Sequence, residues 1–141
     1  MKRAYIDANI AIRYLIDEPG EMARETKALF AAAERGEVVL VLDEVTVAEI
    51  VWVLASFYKL SKEVIKDGLL SFIASEGIEM DDKRGLLVAL TLYAEKNVDF
   101  IDALLSVHMD RAGVPDLVSY DKDFDRLPGV RRYTPEAFFK T

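Results

Sequence analysis

The sequence predicts an α/β fold, built on a doubly wound and mostly parallel sheet of four to five strands with helices on both faces. Short apolar runs alternate with longer helical patterns along the 141 residues, which is the order that right-handed crossovers and a parallel sheet require. The run VVLVL at 38–42 is continuous and mostly β-branched, as in a strand buried on both faces. No repeat, low-complexity tract or linker divides the chain, so a single domain is predicted over residues 1–141.

The predicted strands are short apolar segments, each followed by turn-forming or capping residues. They lie at 4–6, 38–42, 77–80, 116–119 and 130–133. The first is expected to be a buried strand. Whether the sheet has four strands or five depends on the last segment.

The predicted helices follow from apolar positions at helical spacing and from end signals. They cover 8–16, 21–35, 43–58, 61–74, a segment after Asp81 and Asp82 that runs to about 96, 99–112, and a last turn from Pro135. Gly36 and Gly113 are predicted C-terminal caps, and Ser61 is a predicted N-terminal cap.

The composition excludes several classes of function. Hydrophobic residues make up 52% of the chain, which fits a globular protein, and the absence of cysteine excludes disulfides, thiolate metal sites and cysteine nucleophiles. No apolar run approaches the ~20 residues of a membrane span, and Asp7 and Asn9 interrupt the stretch that a signal peptide would need. A cytoplasmic protein without a membrane segment is therefore expected.

The net charge of −7 argues against a protein that simply coats nucleic acid, but it allows an acidic pocket that holds cations. Acids recur where ligands bind in parallel sheets, beyond the carboxyl ends of the strands. The acids come from four separate segments of the chain: Asp7, Glu49, Asp102, and the group Asp121, Asp123 and Asp125. The polar Asn9 follows Asp7 in the first of these segments.

Each of these acids also has a purely structural interpretation. Asp7 or Asn9 can cap the helix that follows, and Asn9 can cap it while orienting Asp7. Thr46 and Glu49 match the S/T-x-x-E capping box. However, the helix around Glu49 is apolar nearly all round, so this carboxylate is expected to be desolvated unless a metal ion or a basic side chain compensates it.

The remaining acids are open to the same interpretation. Asp99 can be an N-cap with Asp102 in the first helical turn, where a negative charge suits the helix dipole, and 121–125 can be a solvated turn. If the acids do converge, a set of hard oxygen ligands without cysteine suits Mg²⁺ or Mn²⁺. Such an ion can activate water and stabilise the oxygens of a phosphoryl displacement, which is nuclease-type chemistry.

Four stretches, in this order, resemble the PIN-domain family, and within it the toxin ribonucleases of VapBC toxin–antitoxin pairs. They are YIDANI near the start, TVAEIVWVL, DFIDALL, and VSYDKDFDRL near the end. The resemblance covers essentially the whole chain. It implies metal-dependent ribonuclease activity at an acidic pocket, with RNA as substrate, formation of a homodimer, and inhibition by a small antitoxin protein.

The resemblance also implies roles for individual residues. Asp7 would be a direct metal ligand, and Glu49, Asp102 and Asp121 match the second, third and fourth acids of the pattern. Asp123 would be a supporting or alternative ligand. The polar positions that orient the acids match Asn9 and Ser119, the latter standing where threonine is more usual.

Two other classes of protein share an α/β fold with an acidic pocket. A receiver-like signalling module needs paired acids after the first strand, and only Asp7 is present there. A phosphatase with D-x-D after that strand would need an acid where Asn9 stands. A PIN-like binding module without activity would be expected to have lost one of the four acids, and all are present. The basic residues Arg13, Lys122, Arg131 and Arg132 are either RNA contacts or ordinary surface charges.

Overall fold

A computed structural model describes residues 2–141, which form two compact units, 2–83 (the first unit) and 84–141 (the second unit). Within the described residues, no helix combines the length and the hydrophobicity that crossing a bilayer would need. The first unit contains the strands β1 (Lys2–Tyr5), β2 (Val38–Val41) and β3 (Ile78–Glu79), and the helices α1 (Ala8–Ile16), α2 (Glu21–Glu34), α3 (Glu44–Ser56) and α4 (Lys62–Ala74).

The sheet of the first unit is parallel, with the strand order β1-β2-β3. Its core holds the buried side chains of β2 and of the helices around it, and it includes a cluster of aromatic rings. The ring centroids of Tyr14 and Phe30 are 4.3 Å apart, and those of Phe30 and Phe72 are 5.4 Å apart. This packing attaches α1 and α4 to the same side of α2.

The register of β1 and β2 places an aspartate at the same level beyond each strand. Tyr5 lies opposite Val41, and the amide of Ile6 donates to the carbonyl of Val41 at 3.1 Å. Asp7 and Asp43 each follow two residues after this pair, and each precedes a helix. The first unit therefore presents two equivalent strand-to-helix turns side by side.

The second unit contains the parallel strands β4 (Asp116–Val118) and β5 (Arg131–Tyr133). Its helices are α5, which begins one residue earlier (Lys83–Glu95), α6 (Phe100–Ala112) and α7 (Pro135–Phe139). A short 3₁₀ helix, Lys122–Arg126, lies between the strands, and its buried Phe124 and the following Leu127 attach it to the core. Gly113 ends α6 with a φ of 72°, the left-handed conformation that glycine adopts readily.

The structure confirms the α/β class, the parallel pairing and the position of every predicted strand and helix to within a few residues. The described strands form one three-stranded and one two-stranded sheet, so the doubly wound sheet of four to five strands stays a prediction. The burial predicted for the first strand, 4–6, holds for Ile6 alone, because the four residues of β1 are exposed and β1 lies at the edge of the three-stranded sheet. The solvated turn considered for residues 121–125 is replaced by the 3₁₀ helix Lys122–Arg126, which Asp121 caps and the buried Phe124 anchors.

Candidate active site

Asp7 lies at the turn between β1 and α1 and acts as the N-cap of α1. Its backbone is extended, and its Oδ1 accepts a hydrogen bond from the amide of Ile10 at 3.0 Å. The flanking Ile6 and Ala8 are buried, whereas Asp7 itself is exposed. The capping interpretation of Asp7 is therefore correct, and it uses only one of the two carboxylate oxygens.

Asn9 lies inside the first turn of α1, so the prediction that it caps this helix is wrong. The cap must be the last residue with non-helical backbone, and that residue is Asp7. Among the described residues, no hydrogen bond joins the side chain of Asn9 to Asp7. Asn9 is exposed and lines a cavity of about 260 Å³ in the first unit, together with Arg13.

Glu49 is an exposed residue in the second turn of α3. The cap of α3 is Asp43, whose Oδ1 accepts from the amide of Val45 at 2.9 Å, so the capping box predicted for Thr46 and Glu49 is wrong. The predicted desolvation of Glu49 is also wrong. One side of α3 is buried, but the side that carries Glu49 is open, and Trp52 there is 67% exposed.

Asp102 is the one candidate carboxylate of the described residues whose pKa is raised. It lies half-buried in the first turn of α6, and burial raises the pKa of its carboxyl above the usual value, because water that would stabilise the charge is removed. The negative charges of Asp99, Asp121 and Asp123 raise this pKa further. Asp102 therefore lies within electrostatic range of three other carboxylates of the second unit, and the charged groups that shift its pKa are all acids.

Asp121 is held in place by the backbone and by Ser119. The amide of Asp121 donates to Oγ of Ser119 at 3.0 Å, and Oδ1 of Asp121 accepts from the amide of Asp123 at 2.9 Å. Ser119 is in turn connected to β5, because its amide donates to the carbonyl of Tyr133 at 2.9 Å. Ser119 thus orients the backbone that carries Asp121.

The structure separates the three aspartates of the 3₁₀ segment by their partners. Asp125 accepts two hydrogen bonds from Arg132, at 2.9 and 3.2 Å, and this guanidinium lowers the pKa of its carboxyl. Asp123 has a looser ion pair with Arg126 at 3.4 Å. Asp125 is therefore occupied by a basic side chain, whereas Asp121 and Asp123 act on Asp102.

Arg132 connects both ends of the segment 119–125, the acidic loop. The sequence did not reveal this role. Besides its two bonds to Asp125, it donates to the carbonyl of Ser119 at 3.1 Å, and its side chain is only 15% exposed. The neighbouring Arg131 pairs with Asp116 at 2.8 Å. Both arginines, considered above as RNA contacts, therefore have carboxylate partners within the protein. No local pattern could have indicated pairs that are seven and fifteen residues apart.

The donors present are carboxylate oxygens, which are the ligands that Mg²⁺ and Mn²⁺ prefer. Within residues 2–141, no group of three His, Asp or Glu side chains is close enough to form a ready-made cage for a metal ion. Mg²⁺ does not need such a cage, since it is usually bound by one or two carboxylates and keeps several waters. The residues therefore fit this ion by the chemistry of their donors.

Removing the charge of Asp102 is expected to raise the melting temperature of the metal-free protein at pH 7 by a few degrees. The pKa of this carboxyl is higher in the folded protein than its usual 3.8, so the folded state binds the proton more tightly than the unfolded chain. Stability therefore falls as the pH rises from 3.8 through the folded pKa, and stays lower above it. Thermal unfolding of Asp102→Asn in chelator should show a gain that shrinks as the pH approaches 3.8.

The matched control is Asp43→Asn, since Asp43 is an exposed cap and asparagine caps a helix equally well. It should leave the melting temperature unchanged. A melting temperature of Asp102→Asn below that of the wild type at pH 7 would show that Asp102 instead stabilises α6 through the helix dipole.

The PIN domain family matches residues 4–130, so the chain belongs to this family. The match extends over most of both units and covers every candidate acid from Asp7 to Asp123. The chain is also similar to the VapC ribonuclease of Aquifex aeolicus (strain VF5). The two are 25% identical over 130 residues, which cover 92% of this chain and 95% of the relative. The resemblance to VapC-like PIN proteins inferred from the four sequence motifs is thereby confirmed.

Proposed function

We propose that this protein is a metal-dependent endoribonuclease and the toxin of a toxin–antitoxin pair. The observation that carries the proposal is the environment of Asp102, a half-buried carboxylate next to three other acids in a PIN-domain chain. Like charges gathered without a compensating cation destabilise one another, and a bound divalent cation would relieve that repulsion. The similarity to a VapC ribonuclease supports RNA as the substrate.

The metal would be held by Asp7, Glu49, Asp102 and Asp121, with Asp123 as an additional ligand and Asn9 and Ser119 in support. We also propose that residues 1–141 form a single domain, with the doubly wound sheet of four to five strands that the PIN resemblance implies. Bound Mg²⁺ or Mn²⁺ would supply a Lewis acid for the phosphate and a more acidic water as nucleophile. Asp7 would contribute the oxygen that does not cap α1, and Ser119 would keep Asp121 oriented through its backbone amide.

The proposed partners are RNA, a second copy of the chain and a small antitoxin protein. The first unit has apolar surface for a protein partner at the end of α3, where Trp52 is 67% and Phe57 is 74% exposed. The similarity to a VapC protein supports an antitoxin partner. We further propose that the protein acts in the cytoplasm, where its RNA substrates are found.

A circular single-stranded RNA tests the reaction class directly, because only an endonuclease can open a circle. The purified protein with Mg²⁺ or Mn²⁺ is expected to convert the circle to a linear product and then to fragments, as seen by gel electrophoresis. Asp102→Asn, purified in parallel, is the control for a contaminating nuclease. Persistence of intact circles with the wild type, across several RNA sequences, would instead favour a PIN-like module that binds without catalysis.

A further inference from the structure

Tyr120 is an exposed aromatic residue between two of the residues that build the acidic loop. Its neighbours are Ser119 and Asp121, and its side chain is 76% exposed. Four other aromatic rings of the second unit are paired, such as Tyr133 with Phe138 at a centroid distance of 5.8 Å. Among the described residues, no ring pairs with Tyr120, so one face of a large apolar group remains available next to the carboxylates.

The backbone on both sides of Tyr120 is fixed by hydrogen bonds. Ser119 donates to Tyr133, its carbonyl accepts from Arg132, and its hydroxyl accepts from the amide of Asp121. A contact made by a side chain on a fixed backbone loses little conformational entropy on binding. The backbone at Tyr120 is thus fixed relative to that of Asp121.

The charges around Tyr120 make an uncharged contact with RNA useful. The protein carries a net charge of −7, and the nearby Arg131 and Arg132 are paired with Asp116 and Asp125. Attraction of phosphates to these two arginines is therefore weakened. Stacking of a nucleobase on an aromatic ring does not depend on phosphate charge, and it is a common way to hold single-stranded RNA.

We propose that Tyr120 is a stacking platform for one nucleobase of a single-stranded RNA substrate, next to the bond that is cut. This role rests on the proposed ribonuclease function and adds to it a defined contact between the protein and one base. The ring, rather than the phenol hydroxyl, makes the contact. Tyr120→Phe is therefore expected to retain RNA binding, and Tyr120→Ala is expected to weaken it.

Binding of a fluorescent single-stranded RNA is measured in an Asp7→Asn background, so that the RNA stays intact. Addition of Tyr120→Ala is expected to weaken binding by about tenfold, and addition of Tyr120→Phe to leave it within about twofold. Equal affinity with Tyr120 and with alanine overturns the proposal. An equal loss with phenylalanine and alanine overturns it as well, because it assigns the effect to the hydroxyl.

Lys122 provides a matched control on the other side of Asp121, since it is exposed and charged. Lys122→Ala is expected to make binding less dependent on salt concentration, as the loss of a phosphate contact does. The tenfold loss caused by Tyr120→Ala should instead stay constant between low and high salt. A loss that disappears at high salt contradicts stacking.

A series of RNAs with a single abasic position identifies the stacked base. At one position next to the cleavage site, removing the base should weaken binding to the protein with Tyr120, and it should have no further effect on the Tyr120→Ala protein. Additive effects at every position would overturn the proposal. If the wild type neither binds nor cuts RNA, the ribonuclease function fails; if it cuts RNA and Tyr120→Ala cuts it with unchanged KM and kcat, only the stacking role fails.

Discussion

Asp7→Asn is expected to lower the rate of RNA cleavage at least about 100-fold while leaving the melting temperature of the metal-free protein unchanged. The two roles of Asp7 respond differently to this substitution. Asparagine keeps an oxygen that can accept the hydrogen bond from the amide of Ile10, so the cap of α1 is preserved. It loses the negative charge, so a metal ligand of this type is strongly weakened.

The structure offers a close control in Asp43. It follows β2 at the level at which Asp7 follows β1, it caps α3 through the same carboxylate oxygen, and it is also exposed. Asp43→Asn is expected to retain full activity and full stability. Cleavage assays and thermal melts of both variants, run side by side, separate the loss of one acid from the loss of a specific one.

Normal cleavage by Asp7→Asn would reduce Asp7 to a helix cap and would remove it from the proposed site. A loss of activity accompanied by a lower melting temperature would have the same consequence, since it would trace the defect to α1 rather than to the chemistry. An equal loss of activity in Asp43→Asn would show that the overall negative charge of the sheet edge matters more than Asp7.

Removing divalent ions with a chelator is expected to abolish RNA cleavage, and excess Mg²⁺ or Mn²⁺ should restore it. The donors are carboxylates, and the mutual repulsion around Asp102 is relieved only when a cation is present or when a proton binds. The assay compares one protein preparation before chelation, after chelation and after each ion is added. Full activity in excess chelator would refute the metal dependence.

Metal binding should also be visible without any RNA. An ion that binds only the folded protein raises its stability, by about 2.7 kcal/mol when its concentration is 100 times the Kd, which shifts the melting temperature by roughly 5 °C or more. This shift should be smaller in Asp102→Asn and unchanged in Asp43→Asn. An identical shift in all three proteins would indicate binding elsewhere on the surface.

Local patterns in the sequence were sufficient for the secondary structure of this protein. Helix α1 was predicted with both of its ends, because the apolar spacing begins after Asp7 and Glu18-Pro19-Gly20 ends it. Gly113 correctly predicted the end of α6 for a similar reason, since glycine readily adopts the left-handed conformation that ends a helix. These features depend on residues only a few positions apart.

Helix caps were harder to assign than helices. Both Asp7 and Asn9 can cap α1, and both Asp43 and the Thr46–Glu49 pair can cap α3, so sequence chemistry alone allows two starting points for each helix. The structure selects the residue two positions beyond the end of each strand, because the strand register sets where the chain leaves the sheet. The backbone of the first helical turn then decides which amide donates to each cap, Ile10 for Asp7 and Val45 for Asp43.

The sequence by itself identified the family, and it predicted the class of chemistry and the candidate acids, because those depend on residue types in a fixed order along the chain. Only the tertiary structure decided the environment of each acid. In the folded protein Glu49 is exposed, Asp102 is half-buried within electrostatic range of three other carboxylates, and Asp125 is paired with Arg132. Burial and ion pairing depend on residues that are distant in sequence and meet only when the chain folds, so no local pattern could have specified them.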